Sequence, residues 1–83
     1  MNLQAMSTLS EFERVYLTEN LPNTPFVKGD VGVIAHIHEN AAGFEVEFFA
    51  ADGTTLSVET ASANQIKSCA GIKAVLHTHD KAA

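Results

Sequence analysis

Residues 44–49 read Phe-Glu-Val-Glu-Phe-Phe, and Asp52-Gly53 follows at once. A period of two puts Phe44, Val46 and Phe48 on one face and Glu45, Glu47 and Phe49 on the other, the pattern of a half-buried antiparallel strand. Asp-Gly readily takes the positive φ angles of a tight turn, so the chain is expected to double back at Ala51-Asp52-Gly53 into a strand over Thr54–Thr60. There Leu56 and Val58 are expected inward, with Thr55, Ser57 and Glu59 outward.

The rest of the chain follows the same short-strand grammar, and no stretch of it keeps a helical period long enough to compete. Phe12–Leu17 reads as a first strand with Val15 and Leu17 as its core residues. Thr18–Asp30 cannot be a central strand, because Pro22 and Pro25 donate no ladder hydrogen bond. It is a long loop, expected to be pinned by Leu21, Phe26 and Val27. Val31–His38 is rich in β-branched residues, and Gly32 near its start predicts a bulge or sharp bend. Glu39–Gly43 is a turn, Ala61–Gln65 has the length of one helical turn, and Ile66 begins a last short strand. The class is all-β: a small, strongly bent barrel of five strands, with a long first loop and one short helical turn before the last strand.

With 83 residues, the chain is one domain that removes roughly 60% of its unfolded surface from water, which leaves little room for a deep, walled active site. Its formal charge of −5 argues against holding nucleic acid or an anionic membrane by bulk electrostatics. The charge is uneven: residues 1–66 hold nine acids against Arg14 and Lys28, whereas 67–83 hold Lys67, Lys73 and Lys81 against Asp80. A single cysteine, Cys69, forms no internal disulfide. No apolar run approaches the roughly 20 residues of a membrane span, and no signal-peptide pattern opens the chain. The expected setting is cytoplasmic, without membrane.

Several blocks carry a family likeness: Val15-Tyr16-Leu17-Thr18-Glu19-Asn20-Leu21-Pro22, Lys28-Gly29-Asp30-Val31-Gly32-Val33-Ile34, Phe44-Glu45-Val46-Glu47-Phe48, Asp52-Gly53-Thr54-Thr55-Leu56 and Ala63-Asn64-Gln65-Ile66. In this order they resemble the small bacterial family catalogued as domain of unknown function 4926, over roughly residues 12 to 67. That family is similar to SH3-like barrels. The resemblance implies an SH3-like barrel over 11–68, an N-terminal extension over 1–10, and a tail or added edge strand over 69–83. It further implies a stand-alone, non-catalytic interaction module, one half of a toxin and antitoxin or similar two-gene pair. Gly29-Asp30-Val31-Gly32 is also similar to the turn of the ribosomal KOW motif, which makes a nucleic-acid or ribosome-associated module the alternative. The acidic balance around that turn opposes it.

Glu45, Glu47 and Glu59, with Asp30 and Glu19 near them, are expected to form an acidic surface around Phe49, suited to a basic protein partner. Tyr16 and Phe26, with Pro22 and Pro25, supply apolar material for a groove beside the long loop, although one Tyr and no Trp make a thin lining for polyproline. His36-Ile37-His38 and His77-Thr78-His79 are two His-x-His units whose imidazoles share a strand face, the geometry of metal chelation. The plainer reading is preferred: with Ile37 opposite Val46, His36 falls opposite Glu47 and His38 opposite Glu45, as cross-strand charge pairs. No metal or other cofactor is expected. Cys69 has no neighbouring base in the sequence, so an enzyme is not expected. The basic tail, with Ile72, Val75 and Leu76, is a candidate for docking on the acidic barrel or on a second copy as a homodimer.

Overall fold

The computed structural model describes residues 9–70 and the pair 77–78. These form strands β1 (Arg14–Leu17), β2 (Asp30–Ile37), β3 (Phe44–Phe49), β4 (Thr55–Ala61), β5 (Ile66–Ser68) and β6 (His77–Thr78), with 3-10 turns at Glu39–Ala41 and Ala63–Gln65. Strands β1 to β5 make one antiparallel sheet in the order β4-β3-β2-β1-β5. The all-β class and the five strands are as expected, but the sheet is not closed, and β4 and β5 are its terminal strands among the described residues. β6 runs parallel to the start of β2, with Asp30 opposite His77 and Val31 opposite Thr78. It therefore joins neither terminal strand; the rest of the tail lies outside the described residues, as do residues 1–8 of the expected extension. Among the described residues no helix is long and apolar enough to cross a membrane.

The alternating positions build the core. Val15 and Leu17 from β1, Ile34 from β2, Phe44, Val46 and Phe48 from β3, Ala61 from β4 and Ile66 from β5 are all buried. The long loop adds Leu21 and Phe26, and the Phe26 ring stacks on Phe48 with centroids 4.1 Å apart and planes 12° apart. Such stacking adds to the burial of two large apolar faces. Polar contacts then give the loop a definite shape. The Leu21 N–H donates to the Phe26 carbonyl (3.0 Å), the Lys28 N–H to Asn20 Oδ1 (3.0 Å), and the Gly29 N–H to the Leu17 carbonyl (2.9 Å).

Two loop residues depart from expectation. Val27 is exposed, because its N–H donates to Asp30 Oδ2 at 2.9 Å and the resulting turn carries its side chain away from the core. Asp30 is buried, with 1% of its surface exposed, and closes that turn instead of joining an acidic surface. A buried carboxylate that satisfies a backbone donor serves the loop's architecture.

Gly32 has a role other than the expected bulge. A Cβ built there would lie 2.7 Å from Val46 Cγ1 and 2.8 Å from the Glu47 carbonyl oxygen, so glycine lets β2 and β3 come close. The irregularity falls three residues later, between Ile34 and His36. Ile34 faces Val46, His36 faces Glu45 and Ile37 faces Phe44, which replaces the expected pairings of Ile37 with Val46 and His36 with Glu47. One extra residue in β2 shifts every later partner, and a period-two pattern carries no record of it.

The hairpin turn forms where Asp52-Gly53 places it, with Gly53 at φ +91°. Asp52 Oδ1 accepts from the Thr54 N–H at 3.0 Å and from Thr54 Oγ1 at 2.7 Å, and these bonds hold the exposed carboxyl below its ordinary pKa. A second register shift follows between Phe48 and Phe49, leaving Leu56 without a cross-strand partner. It inverts the expected phase of β4. Ser57 faces Phe48, Glu59 faces Val46 and Ala61 faces Phe44, so these three lie on the core side, and Leu56 and Val58 point outward. The helical turn shortens to Ala63–Gln65 because Ala61 is still in β4 and buried. There the Ser62 N–H donates to Gln65 Oε1 at 2.9 Å.

Candidate functional site

Cross-strand partners share a sheet face, so the pairings of β3 with β4 define the surface opposite the core. Glu45 sits beside Thr60, Glu47 beside Val58, and Phe49 beside Thr55. This outer face of the hairpin therefore carries Glu45, Glu47 and Phe49, as expected, together with Leu56 and Val58, which were not. Leu56 is 41% and Val58 48% exposed, while Phe49 is half-buried. The sequence signal for Leu56 and Val58 was present, two β-forming apolar residues at period two; the bulge decided which side they face.

The carboxylates are held in place by hydroxyls of the neighbouring strand. Glu45 accepts from Thr60 Oγ1 at 2.9 and 3.1 Å, and Glu47 Oε2 accepts from Thr55 Oγ1 at 2.5 Å. Glu59 accepts from Ser57 Oγ, but on the core side of β4, so it is not on the face that holds Glu45 and Glu47. Among the described residues no lysine or arginine pairs with Glu45, Glu47 or Glu59; the ion pairs found are His38 Nε2 with Glu45 Oε2 at 2.6 Å and His36 Nδ1 with Glu11 Oε2 at 3.6 Å. His38 thus meets the expected glutamate, and His36 finds a different acid.

The remaining candidates are dispersed. Phe26 is 2% exposed and stacked in the core, where it cannot touch a partner directly. Tyr16 is half-buried on β1, with Lys67 of β5 and Val31 of β2 as its cross-strand partners. Glu19 accepts from Gln65 Nε2 at 3.1 Å, beside β5 and away from the hairpin face. The rings of His36 and His38 are 5.8 Å apart, yet among the described residues no three His, Cys, Asp or Glu side chains gather where they could hold a metal ion. The side chain of His77 and the whole of His79 lie outside the described residues.

Cys69 is half-buried, and its backbone N–H donates to the Arg14 carbonyl at 3.0 Å. Burial pushes its thiol pKa up, against the smaller lowering effect of Arg14, with Glu13 raising it further. This is opposite to what activates a nucleophile. Alkylation by iodoacetamide at pH 7.5 is expected to be slower in the folded protein than in urea. With the folded pKa raised, the thiol's contribution to stability is present below its unfolded pKa and is lost as pH rises through the folded value. Equal alkylation rates in the two states would contradict this.

A family model described as Domain of unknown function (DUF4926) matches residues 11–68. No curated protein and no solved structure matches the chain.

Proposed function

We propose that this chain, which belongs to the family described as Domain of unknown function (DUF4926), is a non-catalytic protein-interaction module that presents the outer face of its β3–β4 hairpin to a basic protein. The observation that carries the reading is the exposure of Leu56 and Val58 beside Glu45 and Glu47, whose charge no described lysine or arginine neutralises. Apolar side chains supply contact area, and carboxylates that no described lysine or arginine pairs with steer and orient a cationic partner. Neutralisation of such a partner, in the manner of an antitoxin or immunity protein, is the concrete form, and a net charge of −5 suits it. The unactivated Cys69 thiol supports a non-catalytic role, and a single cysteine suits a reducing cytoplasm. An SH3-like reading of the fold is supported by the strand order β5-β1-β2-β3-β4, the long first loop and the 3-10 turn before β5.

The test is affinity capture from the source organism's extract, comparing the wild type with the double variant Phe49→Ala, Glu47→Lys at low and moderate salt. A stoichiometric basic protein is expected with the wild type, and its affinity should fall at least about thirtyfold in the variant, the loss of a hot spot of about 2 kcal/mol. Unchanged capture by a normally melting variant would leave the face without a binding role.

One observation favours nucleic-acid binding as a second reading: Tyr16 lies beside Lys67, with the exposed Arg14 two residues earlier on the same face of β1. An aromatic between cations is a stacking platform for single-stranded nucleic acid. Recovery of RNA in the same capture, lost on Arg14→Ala with Lys67→Ala and falling steeply with salt, would favour this reading.

A further inference from the structure

Strand β4 pairs with β3 along one side only and ends the sheet among the described residues. Its seven residues, Thr-Leu-Ser-Val-Glu-Thr-Ala, include no lysine and no proline; its guards are the bulge at Leu56 and the core-side Glu59, a charge that a basic strand would offset. The opposite terminal strand, β5, is three residues long and carries Lys67. Along β4, alternate N–H and C=O groups point away from β3, where an added strand would meet them.

We propose that the edge of β4 that no described strand pairs with takes up an extended basic segment of the partner as an additional strand. This deepens the function proposed above and rests on it. Charge selects the occupant. Glu45 and Glu47 are bonded to Thr60 and Thr55 on the outer face, and Glu59 is bonded to Ser57 on the core side, so carboxylates flank the edge on both faces. A strand laid along β4 meets negative charge whichever way its side chains alternate, and its apolar residues cover Leu56 and Val58. Two copies of this chain joined through β4 would instead bring these acids together without a described lysine or arginine to offset them. At about 3.3 Å per residue, the edge accommodates a segment of roughly five to seven residues.

The experiment uses the full chain, nitrogen-15 labelled, with the acetylated and amidated peptide Lys-Val-Lys-Val-Lys-Val-Lys as probe. Its control is the same peptide N-methylated at alternate residues, which keeps charge and apolar area but cannot complete a ladder. The unmodified peptide should slow hydrogen exchange at the outward-pointing β4 amides at least tenfold, and the methylated one should not. Glu59→Lys, on the core side of the edge, should weaken binding by about tenfold or more through like-charge contact, without altering the outer face. Equal binding of both peptides, or binding that leaves β4 amides unprotected, overturns strand addition; loss of capture through Phe49 and Glu47 would still stand, so the two readings fail separately. Protection of β4 without peptide, in a species of twice the monomer mass, would make a second copy the occupant and also overturn the proposal.

Discussion

Phe48→Ala is expected to lower the melting temperature by roughly 12 to 40 °C. Removing a buried phenylalanine costs about 3 to 5 kcal/mol, and each kcal/mol shifts a domain of this size by about 4 to 8 °C. Phe48 has no exposed surface and stacks on Phe26, so its ring joins β3 to the long loop as well as filling the core. A chain of this length has a total stability on the order of 4 to 12 kcal/mol, so the variant should approach the limit of folding. Circular dichroism gives the melting temperature, and hydrogen exchange should show residues 18–29 losing protection first. A shift below about 5 °C would mean that the stack does not hold the loop.

Gly32→Ala is expected to cost about 3 kcal/mol, although it adds a single methyl group. That methyl would enter a space already occupied by Val46 Cγ1 at 2.7 Å, the Glu47 carbonyl oxygen at 2.8 Å and Phe48 Cδ1 at 3.1 Å. The valine can change rotamer, but the carbonyl belongs to the β3 backbone and yields only if the two strands move apart. Gly53→Ala supplies the contrast: its φ is +91° and no described residue lies within 4 Å of the added carbon, so its cost should be confined to backbone strain of about 1 to 2 kcal/mol. If the two substitutions lower the denaturation midpoint equally, close approach of β2 and β3 is not what requires glycine at position 32.

Much of the fold was legible because its signals are local. The Phe44–Phe49 alternation, the Asp52-Gly53 turn, the prolines of the long loop and the Val15 and Leu17 core positions each depend on a few neighbouring residues. The candidate surface was legible in part. Glu45, Glu47 and Phe49 share a face because β3 is regular, and that strand's period suffices to place them. Leu56, Val58 and Glu59 were placed on the wrong sides because the hairpin carries an extra residue after its turn. His36 met the wrong acid for the same reason, through the bulge in β2. Asp30 looked like one more surface carboxylate, whereas the Val27 turn it closes lies inside the fold.

By itself, then, the sequence determined the all-β class, the order and approximate limits of the strands, the family, and the acidic balance of the chain. Dihedral preference, side-chain period and net charge are properties of short segments and sums, and they survive without knowledge of what packs against what. Only the tertiary structure decided which face of β4 meets solvent, which acids stand together, and which strands end the sheet among the described residues. Those outcomes depend on register, and a single inserted residue reverses register while leaving every local preference satisfied.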